Sequence, residues 1–96
     1  MNQMPTIPLF SAGQIVATPG ALALLERANK TPTEFLSRHL RGDWGDLCPE
    51  DKTENELSLK HGFRLMSSYR VTENERLWVI TEADRAITTI LIPDEY

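Results

Sequence analysis

The sequence predicts an α+β domain: three N-terminal helices, then a three-stranded antiparallel β-meander, with the helices on one sheet face. Three observations carry that expectation. Proline-led helix starts recur at Thr18-Pro19, Thr31-Pro32 and Cys48-Pro49. Apolar residues recur at helical spacing before Gly62 and alternate afterwards. The links between the strand-like segments are short, and short links join antiparallel neighbours.

Residues 1–13 hold Pro5, Pro8 and Gly13 without a clear period and read as an extended arm. Residues 14–96 read as a single α+β domain. Its first helix begins after Thr18, whose hydroxyl can cap the free amides while Pro19 occupies the position that needs none. Ala21, Leu22, Leu24, Leu25 and Ala28 form its apolar face. In the second, Thr31-Pro32-Thr33-Glu34 is a capping box, Phe35, Leu36 and Leu40 follow at helical spacing, and Gly42 is the stop. The third runs from Pro49 to His61, with Glu50 and Asp51 in its first turn and Lys60 and His61 in its last, as the helix dipole prefers. Its apolar face is narrow, chiefly Leu57 with Leu59, which places it on the surface.

After Gly62, Phe63, Leu65, Ser67, Tyr69 and Val71 alternate with Arg64, Met66, Ser68 and Arg70. Thr72 to Glu75 is a polar turn. Leu77–Thr81 and Ile87–Ile92 are β-branched runs separated by Glu82 to Arg85, and Pro93 ends the last. If Leu65, Leu77, Val79 and Leu91 face the helices, then Met66, Trp78, Ile80, Ile90 and Ile92 lie on the other face. A sheet apolar on both sides wants a second cover. A helix or another subunit is the favoured cover, ahead of the N-terminal arm.

At 96 residues, 41% hydrophobic and 25% charged, the chain fits one ordinary globular domain and not a disordered one. A net charge of −4 disfavours a broad phosphate-binding surface. The charge is uneven. Residues 43–56 carry Asp43, Asp46, Glu50, Asp51, Glu54 and Glu56 against Lys52, a net of −5, while residues 60–70 carry Lys60, Arg64 and Arg70 unopposed, a net of +3. The single cysteine excludes an internal disulfide and fits a reducing compartment. With no signal-peptide pattern and no run of about 20 apolar residues, the expectation is a cytoplasmic protein without a membrane partner.

Candidate chemistry is sparse. The acids around Asp43 and Glu50 lack the spacing of a calcium loop, and they read as helix-capping groups. Cys48, His39 and His61 lack zinc or Cys–His spacing. No metal and no cofactor is expected. The group that best fits an enzyme is His61, Arg64, Tyr69 and Arg70. A histidine and arginines beside a strand can support acid–base cleavage of RNA, the arginines stabilising the phosphorane. Glu82, Asp84, Thr88 and Thr89 can complete such a site. Tyr69, Trp78 and Arg85 with the same arginines can instead form a nucleic-acid-binding stripe. Glu54 and Glu56, on the acidic helix, can imitate a phosphate backbone for a DNA-binding target. Against each stands a structural role, and the sequence favours a non-enzymatic protein. Trp44, inside Gly42-Asp43-Trp44-Gly45-Asp46, reads as a plug at the corner between the second and third helices, with Asp46 or Cys48 capping the latter.

The segments GQIVATPGALALLERA, RGDWGDL, ENELSLKHGFRLMSSYR and LWVITEADRAITTILIPDEY, in that order from Gly13 to Tyr96, resemble a family of small bacterial proteins carried on plasmids and integrated mobile elements. Its members are labelled plasmid-related or type I restriction endonuclease subunit M. A methyltransferase subunit needs a cofactor-binding α/β domain and an Asn/Asp-Pro-Pro-aromatic motif. This chain has neither the motif nor room for the domain. The resemblance therefore implies the company of mobile DNA and transfers no catalytic residues. The leading expectation is a small accessory or interaction protein of a mobile element, with a protein partner or self-association through the sheet. The alternatives are a toxin-like ribonuclease or nucleic-acid binder on the basic strand, and an acidic decoy for restriction or defence machinery.

Overall fold

The structure, a computed structural model, describes residues 7–96; residues 1–6 of the arm lie outside it. The elements are β1 (Gln14–Ala17), α1 (Pro19–Arg27), α2 (Pro32–Leu40), α3 (Pro49–His61), β2 (Leu65–Arg70), β3 (Arg76–Thr81), β4 (Ile87–Leu91) and a 3₁₀ turn over Pro93–Glu95. The sheet corrects the predicted three-stranded antiparallel meander. It has four strands in the order β1-β4-β3-β2, and β1 pairs parallel with β4. The other two pairings are antiparallel. The strand before the helices thus pairs with the last strand of the chain. No local pattern marks such a pair, because its connection is nearly the whole domain.

The three helices begin at the prolines. Thr18 caps α1, accepting from the Ala21 amide at 3.2 Å, and its own hydroxyl donates to Glu95. The Glu95 carboxylate also accepts from the Gly20 and Ile92 amides, at 2.9 and 3.2 Å. These bonds, led by that from Thr18, hold the Glu95 carboxyl below its ordinary range. The last turn of the chain is tied in this way to the first turn of α1. Gly62 takes the left-handed conformation (φ 75°) that ends α3.

Core packing lies between one sheet face and the first two helices. Ala21, Leu24 and Leu25 of α1 and Phe35 of α2 meet Tyr69, Leu77, Val79 and Ile90 of the sheet. Each large apolar side chain buried there contributes roughly 1.5–3 kcal/mol. The register places Val79 beside Ile90, and Trp78 beside Leu91. Ile90 therefore faces the helices and Leu91 the other side, the reverse of the parity expected for β4. The cause is the β3–β4 turn, where Arg85 adopts φ 61° and Thr81 is brought opposite Thr88. The far face is partly covered by the chain's own end. Tyr96 packs edge-on against Trp78 at 5.5 Å, and its hydroxyl oxygen accepts a 3.0 Å hydrogen bond from Arg64. Ile80, on the strand between those two contacts, is buried.

The third helix corrects the expectation that all helices lie on one face. It runs beside the β2 edge, and its buried residues are Asn55 and Ser58, while Leu57 is 45% exposed. A strand edge presents N–H and C=O groups, so the helix that meets it needs amides rather than leucines. The Asn55 side chain donates to the Met66 carbonyl at 2.7 Å and accepts from the Met66 amide at 3.2 Å. Two residues on, the Ser68 amide donates to the Trp44 carbonyl at 3.2 Å, and the Asp46 amide donates to the Ser68 carbonyl at 2.6 Å. Two further on, the Arg70 amide donates to the Asp46 carboxylate at 3.1 Å. The outward-facing amides of β2 are thus all satisfied. Replacing Asn55 by alanine removes both bonds to Met66, and the expected loss is roughly 2 kcal/mol of unfolding free energy. Urea denaturation measures it; a loss below about 0.5 kcal/mol, the level of an ordinary surface change, would show that this seal is dispensable.

Candidate functional site

The loop after α2 is built to reach β2. Gly42 (φ 86°) turns the chain out of the helix, and Asp43 holds Arg38 at 2.7 Å. Gly45 (φ 77°) bridges to Ser68, where a Cβ would stand 2.1 Å from the Ser68 carbonyl oxygen. Only glycine permits that approach. Between the two glycines Trp44 turns inward and is 4% exposed. Its indole N–H donates to Glu56 at 2.9 Å, and its ring meets Phe10 and His39. Trp44 is the plug that the sequence suggests. Asp46 caps no helix: it serves the Arg70 amide and pairs with Arg76 at 3.2 Å. Cys48 holds the N-cap position of α3 without a side-chain bond.

Behind Trp44 lies a buried polar chain that the sequence does not announce. His39 has no solvent exposure. Its Nδ1 lies 2.6 Å from the Ser67 hydroxyl and its Nε2 2.9 Å from the Thr81 hydroxyl. The Thr81 and Thr88 hydroxyls are 2.7 Å apart, and Thr88 donates to the Ala12 carbonyl at 2.7 Å. A carbonyl can only accept, so the protons can be placed from that end. Thr88 gives its proton to Ala12 and must accept from Thr81. Thr81 then accepts from His39, which makes Nε2 the protonated nitrogen. Nδ1 accepts from Ser67. The chain therefore places a proton on Nε2, and the neutral form of the buried ring is the tautomer that accepts at Nδ1. Burial, with the positive charge of Arg85 as a smaller cause, lowers the His39 pKa to about 4.

The candidates for RNA chemistry are not brought together. His61 is exposed at the end of α3, its ring 6.1 Å from that of Phe63. Arg64 pairs with Glu82 at 3.4 Å. Tyr69 is 1% exposed, faces the helices, and donates to the Asp43 carbonyl at 2.6 Å beneath the Arg38 guanidinium. Burial raises its pKa well above the ordinary value. Arg70 points to the opposite face from Tyr69 by strand alternation. Arg64 and Arg70 share a side, as expected, but six residues of extended chain set them roughly 20 Å apart.

Of the other candidates, Trp78 is half-buried against Tyr96. The Arg85 guanidinium donates to the carbonyls of Phe63 (2.7 Å), Ser58 (3.0 Å), Glu82 and Ala83, and so clamps the end of α3 to the β3–β4 turn. Thr88 belongs to the buried chain, and Asp84 accepts from the Ala86 amide. Thr89 lies on the far face beside Ile80. Glu56 holds Trp44, while Glu54 is exposed and Glu50 and Asp51 lie in the first turn of α3. No group of three or more His, Cys, Asp or Glu side chains among the described residues converges as a metal site. No described helix is long and apolar enough to cross a membrane. A depression of about 240 Å³ between Leu24, Arg27, Glu75, Arg76 and Pro93 is floored by the Arg27–Glu75 ion pair.

The surface feature absent from the sequence-based candidates is the second edge of the sheet. The Gln14 amide donates to the Ala86 carbonyl and the Thr18 amide to that of Ile90. Alternation then turns the N–H and C=O of Ile15 and Ala17 outward. Ile15 and Val16 are 48% and 38% exposed, and Ile87 on the neighbouring strand 39%. The one sequence signal for it is the β-branched pair Ile15-Val16 just before a helix cap. No family model matches the chain, and no curated protein or solved structure matches it.

The His39 chain has a pH signature. Its folded pKa lies below the unfolded value near 6.5, so between pH 6.5 and about 4 the unfolded state binds a proton that the folded state refuses. Stability is therefore expected to fall as the pH is lowered through that window, by on the order of 3 kcal/mol. The Asp43, Glu75 and Glu95 carboxyls, held low, begin to add their losses as the pH falls through the ordinary carboxylate range. A His39→Gln variant should lose the slope between pH 6.5 and 4.5. An NMR titration midpoint for His39 near 6.5 would refute the assignment.

Proposed function

We propose that this protein is a non-catalytic interaction module, an accessory protein of a bacterial mobile element, which binds protein through the β1 edge of its sheet. The observation that carries this reading is the contrast between the two edges. On β2 the outward amides are satisfied by Asn55, the Trp44–Asp46 loop and the Asp46 carboxylate. On β1 the strand Gln14–Ala17 carries neither charge nor proline and leaves Ile15 and Val16 exposed. Folded proteins normally blunt such an edge, because it is a template for strand addition. The mobile-element setting rests on the sequence resemblance.

Catalysis is the weaker reading because the side chains suited to it have structural duties. His39 is locked neutral inside the core, Arg85 is spent on four carbonyls, and Tyr69 is buried under α2. An edge variant tests the proposal. Ile15→Lys places a charge on the strand as natural edges do. The variant should keep the wild-type circular dichroism spectrum and lose at least tenfold in capture of protein partners, other copies of the chain included. Capture that the lysine leaves unchanged would refute the edge as the binding surface.

A further inference from the structure

We infer that the strand added to β1 comes from a second copy of this chain, paired antiparallel about a twofold axis at Val16; the inference rests on the edge reading just given. Charge selects the partner. The first 25 residues contain no ionisable side chain, and all 24 acidic and basic residues (10 Lys and Arg, 14 Asp and Glu) follow them. Two copies of a chain of net charge −4 repel each other overall, so a contact between like-charged surfaces carries a penalty. Strand β1 is a surface on which they meet without that penalty. It also offers a charged partner nothing to pair with.

The register follows from the outward groups. Ile15 and Ala17 point their N–H and C=O away from β4. In an antiparallel pair, hydrogen-bonded residues lie directly opposite each other and exchange two bonds. Ile15 set against the partner's Ala17, and Ala17 against the partner's Ile15, closes four bonds. Val16 then faces its own copy in a non-hydrogen-bonded pair, the arrangement with the closest side chains. The exposed Val16 and Ile87 lie on the same face of the sheet, by the pairing of Val16 with Thr89 and Gln14 with Ile87. The product is one eight-stranded sheet whose two outer strands are both β2, the sealed ones. Such an assembly is isologous and closed, and it leaves no open edge for a third copy.

A four-residue strand covers less than the ~800 Å² per partner of a standard interface. Half-association is therefore expected at high concentration, on the order of 100 micromolar. The test combines sedimentation from about 10 micromolar to 1 millimolar, a range set around that estimate, with disulfide trapping. In a Cys48→Ser background, Val16→Cys should oxidise to a covalent dimer, because opposed residues of such a pair have Cβ atoms about 5 Å apart. Ile15→Cys should form it at least tenfold more slowly, since its own copy lies two residues out of register. Wild type should sediment as a reversible dimer and Ile15→Lys as a monomer. A wild-type monomer at 1 millimolar, or equal trapping of the two cysteines, overturns the inference. If wild type is monomeric while capture of another protein still depends on Ile15, the open edge stands as a binding surface and the second copy falls.

Discussion

Both sheet edges are set by one buried histidine. His39 reaches from α2 to Ser67 on β2 and Thr81 on β3, and through Thr81 to Thr88 on β4 and the Ala12 carbonyl. Directly or through hydroxyls it links three strands and the segment before the fourth. On one side, fixing α2 against β2 positions the Gly42–Asp46 loop, and that loop with Asn55 closes the β2 edge. On the other, the bond from Thr88 to Ala12 sets the chain beside β4 just before β1 begins.

A polar group in a core is costly unless it is fully bonded, and this one is: no buried side-chain nitrogen or oxygen among the described residues lacks a partner. What the chain of hydroxyls provides is register. Leucine and isoleucine tolerate a shift that conserves volume. A slip of β4 by one residue would turn Thr88 to the far face and leave Thr81 and the imidazole without a relay. The preference is sharpest for β1, which is short and mostly exposed and has little apolar burial to hold it in place. Gly13 works to the same end, because a Cβ there would stand 2.3 Å from the Ala86 carbonyl oxygen.

The features legible in the sequence were the local ones. Thr18-Pro19 and Gly62 mark helix ends through contacts within a few residues. Thr31-Pro32 marks one by its proline, although the expected capping box is absent because Thr31 makes no side-chain cap bond, and the period-two run from Leu65 to Arg70 marks a strand by itself. Trp44 between two glycines could be recognised as a plug because both glycines permit backbone that other residues resist. Illegible features were those whose partners lie far along the chain. Val16 joins Thr89, Thr18 meets Glu95, and His39 meets Thr81. Helix α3 misled for a different reason. An apolar-face rule assumes that a helix packs on a sheet face, whereas α3 packs on an edge, where Asn55 is the better contact and Leu57 is left in solvent. The RNA-site candidates failed to converge because strand alternation separates Tyr69 from Arg70, and strand length separates Arg64 from both.

The asymmetry of the edges bears on why the N-terminal segment is free of charge. An exposed edge strand is normally protected by lysine, proline or a bulge. The chain has charge to spare, and it places acids densely on α3 and arginines on β2 and β3. Keeping Gln14 to Ala17 neutral, with two β-branched residues pointing to solvent, forgoes the simplest protection against unwanted pairing. Such an omission is costly for a monomer and useful for a strand that must pair. On β2 the same sheet shows the opposite solution, in which a helix, a loop and a carboxylate are committed to closing six residues. That one edge is sealed so thoroughly while the other is left unpaired among the described residues is what supports reading the β1 edge as the interaction surface.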